Sequence, residues 1–203
     1  MAKNSFKNAP KIPYKILNCL IENETELGNE FWKALIYDEV NPLSQPNPTK
    51  RQRVKYIYDR TKAMNFNDYK IFIFPLITDT FDDNTDENLI QLRFFTNNIM
   101  PIDKYNAIGE ITFTVYTSSK LSVMRDKDIT LVERTDFIQS RLLDLLTNKD
   151  IGVGINFLQF DRQLDRSCYS TLNINNSKLF YGRTFNIALK YTDVSEDACN
   201  EAH

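Results

Sequence analysis

The chain has 203 residues, a net charge of −2, 42% hydrophobic and 12% aromatic residues. That is enough for one folded domain with a sizeable core, since chains of this length bury roughly 70% of their extended surface, and it argues against disorder. The charge gives no basic footprint for general nucleic-acid binding, and no apolar run approaches the roughly 20 residues that span a bilayer. The start, Met1-Ala2-Lys3-Asn4-Ser5-Phe6, lacks the apolar centre of a signal peptide, so the expectation is a protein made in a cytoplasm that leaves it by no secretory route.

Residues 1–13 are polar, contain Pro10 and Pro13, and read as a mobile arm. Ile16, Leu17, Leu20 and Ile21 recur at helical spacing and predict an amphipathic helix over 14–24. Phe31, Ala34 and Leu35 predict a second over 30–37, with Gly28 breaking the two. Pro42, Pro46 and Pro48 make 41–48 a loop, after which Thr49 caps a short helix reaching residue 58. Its Lys50, Arg51, Arg53 and Lys55 form the densest basic run in the chain, either a solvated face or a phosphate or partner contact.

The strand region begins at Lys70, where Ile71-Phe72-Ile73-Phe74 is β-branched and aromatic and Pro75 ends or kinks the run. Strands over 70–77 and 89–96 flank an acidic loop, 78–88, that carries Asp79, Asp82, Asp83, Asp86 and Glu87. Met100-Pro101 marks a turn. Over 108–118, Ile111, Phe113 and Val115 alternate with Thr112, Thr114 and Tyr116, which predicts one buried and one polar face. A charged loop, 119–128, with Arg125 and Lys127 follows. Thr130-Leu131-Val132-Glu133 has the form of a capping box and predicts a helix over 131–147 with Leu131, Ile138, Leu142 and Leu145 on its core stripe and Arg134 and Arg141 off it. Gly152-Val153-Gly154 leads into a strand over 153–161. The last strand opens at Tyr181-Gly182-Arg183 and buries Phe185, Ile187, Leu189 and Tyr191. The polar tail after Thr192 predicts no fixed structure.

The chemistry of the common sites does not assemble from these residues. Asp82, Asn84 and Asp86 alternate as in a calcium loop, but Glu87 stands where glycine is needed and Arg93 where the closing glutamate is needed. This leaves a solvated hairpin loop or a partner-contacting one. The sole histidine, His203, lies in the tail, and nucleophilic catalysis of the Ser-His or Cys-His kind needs a held imidazole. Carboxylate pairs exist, Asp161 with Asp165 and Asp82 with Asp83, but nothing orients them toward a pocket. Gly152-Val153-Gly154 follows a helix and opens a strand, the reverse of a dinucleotide loop, so it reads as a helix-end turn. Gly182 reads as a β-bulge or a close-packing site. Cys19 fits a core helix position, Cys168 falls in a polar loop and Cys199 in the tail; an odd count without clustering argues against a disulfide or a zinc site. The expectation is no enzyme, no cofactor and no metal.

The order of these motifs resembles neck and tail-completion proteins of tailed bacteriophages. Asn41-Pro42-Leu43-Ser44-Gln45-Pro46 with Thr49 and a short helix is similar to their leader. Ile73-Phe74-Pro75 with Thr78-Asp79-Thr80, the strand 111–116, Arg134-Thr135-Asp136, Leu145-Leu146-Thr147-Asn148, Gly152-Val153-Gly154 and Phe180-Tyr181-Gly182-Arg183 follow in the same order. The likeness spans about residues 41–193. It implies a tail terminator, a ring-forming and usually sixfold subunit that caps the tail tube and joins tail to head. Its partners would be its own copies, the tail-tube protein and a head-closure or portal-proximal connector protein. DNA would pass through without sequence-specific contact, there would be no membrane, and the protein would reside in the virion. A head-closure (stopper or adaptor) protein and a non-viral protein-binding module are the alternatives. The expected fold class is α+β, a small mixed or antiparallel sheet with packed helices plus an N-terminal helical segment: arm 1–13, helical segment 14–66, core 67–192, disordered acidic tail 193–203. The interface candidates are Asp79, Asp82, Asp83, Asp86 and Glu87 of the acidic loop, Arg51, Arg53 and Lys55 of the basic run, and Arg125 and Lys127 of the second loop.

Overall fold

The computed structural model describes residues 11–59, 61, 66–74, 88–102, 106–147, 157–159, 168–174 and 178–192. Helix α1, Ile12–Glu22, starts inside the expected arm, because Pro13 fits a first turn whose amide needs no partner. It buries Ile12, Ile16, Leu17, Leu20 and Ile21. Helix α2, Glu26–Ile36, starts four residues before the expected position. Thr25 caps it by accepting from the Gly28 amide at 3.3 Å, so Gly28 lies in its first turn and breaks nothing. The glycine is needed for another reason: a Cβ there would meet both oxygens of Asn23 at 2.5 Å. The buried Trp32 indole on α2 donates to the Leu20 carbonyl of α1 at 2.8 Å.

A 3-10 turn, Pro42–Ser44, leads to α3, Lys50–Lys55, which opens on a capping box of Thr49 and Gln52. It stops three residues short of the expected end, because residues 57 and 58 turn to bond with Ile71. The strands are β1 (Ile71–Phe72), β2 (Ile90–Pro101), β3 (Asn106–Ser118), β4 (Val123–Arg125), β5 (Leu131–Glu133), β6 (Phe157–Gln159), β7 (Cys168–Ile174) and β8 (Lys178–Thr192). Helix α4, Arg134–Leu146, sits between β5 and β6.

The main sheet runs β1-β2-β3-β8-β6, with β7 also on β8. Only the β1–β2 pair is parallel among these, so the sheet is mixed and the fold class is α+β. Strand β2 continues through Met100 and Pro101 where a turn was expected, with a register shift between Thr96 and Asn98. Cys168 opens β7 rather than lying in a loop. The β3–β8 register passes Gly182 without a shift, so Gly182 is no bulge. Of the expected strand 153–161, Phe157–Gln159 is strand and the remainder, with Gly152-Val153-Gly154, lies outside the described residues; so do residues 193–203.

The expected capping box at Thr130 to Glu133 does not cap. Leu131, Val132 and Glu133 pair instead with Arg125, Met124 and Val123 as a two-stranded sheet. Helix α4 therefore begins at Arg134, whose amide donates to the Ser122 carbonyl at 2.7 Å, and no side chain caps it. Leu131 is 61% exposed, whereas Ile138, Leu142 and Leu145 fill the stripe as expected. Arg134, expected off the stripe, is fully buried. It donates to the carbonyls of Leu121 at 2.8 Å, Ala34 at 2.9 Å and Tyr37 at 3.0 Å, and to Glu39. Burial pushes its pKa down to about 10, against the pull of Asp38, so it stays charged at neutral pH.

Helices α1, α2 and α4 share one hydrophobic cluster with the sheet. Phe94, Phe113 and Phe185 stack across β2, β3 and β8, with centroids 5.3 and 5.2 Å apart. The opposite sheet face is buried too, contrary to its polar reading: Thr112, Thr114 and Tyr116 are under 10% exposed. There the Arg93 guanidinium lies over the rings of Phe72 and Tyr116 and donates to Gln91 at 2.8 Å. Thr114 and Thr184 hydrogen-bond across β3 and β8 at 3.1 Å.

Candidate interaction surface

The segment 119–128 is a structured side hairpin rather than a charged loop. A 3-10 turn, Ser119–Leu121, precedes β4, and a tight turn joins β4 to β5. The Asp126 carboxylate holds that turn, accepting from the amides of Asp128 at 3.0 Å and Thr130 at 2.8 Å. Asp126 and Ile129 complete it through their own backbone amides. Ile129 is forced to φ 64°, a left-handed conformation that a β-branched residue rarely adopts. On its other side β4 is fastened to the chain after α2, the Arg125 amide donating to the Val40 carbonyl at 2.7 Å.

Strand alternation buries Met124 and turns Val123, Arg125 and Leu131 outward. Val40, Val123, Ile129 and Leu131 are all exposed. Beside them lies a recess of about 480 Å³, lined by Asn41, Leu43, Ser44, Arg125, Asp126, Lys127 and Ile129. The proline-rich segment read as a leader thus forms one wall and the hairpin the other. Lys127 is anchored, bridging to Glu26 and to Glu30, the latter at 2.5 Å. Arg141 of α4 meets the same Glu30 at 2.7 Å. The side chain of Glu30 is only 7% exposed, so α2, α4 and the hairpin share one carboxylate.

Of the expected interface residues, the structure brings Arg125 and Lys127 together. It withdraws one member of the basic run from the surface. Arg53 is 1% exposed. Its guanidinium donates to the carbonyls of Ile21 at 2.8 Å, Asn23 at 2.7 Å and Pro48 at 3.1 Å, and to the Asn29 side chain at 2.7 Å, while lying over Trp32. The carbonyls at the end of α1 need donors, and a planar cation with five N–H groups supplies several at once. Lys50 is engaged by Glu22 at 2.5 Å. Arg51 and Lys55 remain exposed. Lys55 lines a different recess, with Asp38, Tyr56, Asp68 and Lys70. In it Lys70 bonds to Asp38 at 3.0 Å, and burial, then Asp38, raises the Tyr56 phenol. Asp79, Asp82, Asp83, Asp86 and Glu87 lie outside the described residues, as does the failed calcium motif up to Glu87. Among the described residues there is no cluster of metal-ligating side chains, and no helix is long and apolar enough to cross a membrane.

The exposed apolar residues of the hairpin were not anticipated. Their signal was present: Val123 and Arg125, then Leu131 and Glu133, alternate around a turn-forming Asp126-Lys127-Asp128, a hairpin pattern that the apparent capping box obscured.

The fold and this surface define an α+β protein with one mixed main sheet, a helical layer and a side hairpin that presents an apolar, cation-edged recess. The chain belongs to the YomW family, whose model matches residues 29–188, from α2 into β8. The family bears the name of a phage-derived gene, and the chain is accordingly phage-related. No curated protein and no solved structure matches it.

Proposed function

We propose that this chain is a structural protein of the phage neck: a tail terminator that forms a ring, sixfold as is usual in the proteins it resembles, caps the tail tube and joins tail to head. The observation that carries the reading is the ordered set of motifs over about 41–193, which overlaps the span matched by a phage-derived family, 29–188. The hairpin surface supports it, because a ring needs two unlike surfaces on each copy and an exposed apolar recess supplies one. In this reading the protein is not an enzyme and needs no cofactor; its partners are its own copies, the tail-tube protein and a head-proximal connector, with DNA passing through the ring. The test is electron microscopy and sedimentation of the purified protein, alone and mixed with tail tubes of the parent phage. Rings on the ends of tubes are expected. Binding to the head-side connector but never to tubes would make it a head-closure protein, and a monomer that joins neither would overturn the neck assignment.

A further inference from the structure

The acidic segment 79–87 surrounds one aromatic residue, in the order Asp79-Thr80-Phe81-Asp82-Asp83, with Asp86 and Glu87 following. The recess beside the β4–β5 hairpin has the complementary chemistry. Leu43 and Ile129 are its apolar walls, and Arg125 and Lys127 its cations. The Asp126 carboxylate in the same wall is turned to the hairpin backbone through one oxygen, Oδ1, which accepts from two amides. Lys127 is held by Glu26 and Glu30, but Arg125 is exposed and, among the described residues, has no carboxylate partner. Ile129 stands at φ 64° and is 67% exposed. Glycine or asparagine would fit that backbone better, so folding alone gives no reason for an isoleucine there.

We propose that this recess receives the acidic, aromatic segment 79–87 of a second copy of this chain, with Phe81 against Leu43 and Ile129 and its carboxylates on Arg125. The contact is heterologous, as a ring requires; the inference rests on the ring reading for its neighbour but not for its chemistry. The basic run of α3 is a poorer receptor for this segment, since the Arg53 guanidinium is buried on backbone carbonyls.

The test titrates a synthetic peptide of residues 77–88 into the full chain and follows fluorescence anisotropy. Saturable binding is expected, weakened about tenfold by Arg125→Glu and recovered in part when Asp82 and Asp83 of the peptide are replaced by lysine. Ile129→Gly is the control for folding: it should melt no lower than the parent chain yet bind the peptide less well. A peptide that does not bind, or that binds Arg125→Glu and Ile129→Gly as it binds the parent, overturns the inference. Ring formation is scored separately by sedimentation of the same variants. Normal rings without peptide binding leave the neck reading standing and remove this contact; peptide binding without rings, even on tail tubes, does the reverse.

Discussion

Glu26 and Lys127 lie 101 positions apart in sequence and meet at the edge of the hairpin. The Lys127 ammonium, by hydrogen bond and then by charge, holds the Glu26 carboxyl below its ordinary range, and the same contacts raise Lys127. The folded-state pKa of Glu26 is thus depressed relative to the unfolded chain. The stability it contributes is fully present above the unfolded carboxylate value and is lost as pH falls through the lower folded value. Both groups are solvent-facing, so the effect is small and screened by salt. NMR titration should find the Glu26 carboxyl below the other exposed glutamates, and Lys127→Met should return it to their range. An unchanged titration in that variant would mean the ion pair does not persist in solution.

At the scale of elements, the boundary between β5 and α4 is where pattern reading and structure part. Leu142 is fully buried and Leu131 is 61% exposed, although both fit one helical stripe. Leu142→Ala should cost about 2–5 kcal/mol, as buried leucine truncations do, whereas Leu131→Ala should stay within about 0.5 kcal/mol. Urea denaturation of both variants checks this, and equal losses would put Leu131 back in the core. The periodicity of Ile138, Leu142 and Leu145 was readable because burial on one helix face leaves a local trace. So was the alternation of β3, and Thr49 as a cap. The start of α4 was not, because Thr130 and Glu133 satisfy a local rule while the pairing of Leu131 with Arg125 depends on a turn held by the Asp126 side chain. The same holds for the candidate surface. Charge at Arg125 and Lys127 was visible in sequence, but the burial of Arg53 depends on carbonyls 30 to 32 residues away, which no local pattern reports.

For the molecule as a whole, two buried arginines tie the helices to everything after them. Arg53 gathers carbonyls at the end of α1, and Arg134 gathers those at the end of α2 together with Leu121 before the hairpin. A cation at a helix C-terminus also complements the helix dipole. Arg134→Met keeps much of the side-chain volume and removes every donor. With several buried carbonyls left unpartnered at about 1–3 kcal/mol each, the loss should exceed about 3 kcal/mol. A loss below about 1 kcal/mol in chemical denaturation would show that water replaces the guanidinium at little cost. The long separations, 95 to 100 residues between Arg134 and the α2 end, make this a property of the finished fold and not of any one segment.

Strand β8 has a consequence in time. It is the inner partner of β3 along 13 registered pairs, from Asn106 with Thr192 to Ser118 with Phe180, and among the described residues β6 and β7 attach to the sheet only through it. Translation reaches residue 178 only after every other described element has been made. Until then β3 has its β2 side paired and its β8 side bare, and pairings across so many residues form slowly. The ribosome therefore delivers the keystone of the sheet last. A chain interrupted before that point leaves the β8 side of β3 without its 13 pairs and its core without Phe185, Ile187 and Leu189: completeness of the chain is checked by the order in which its strands are synthesised.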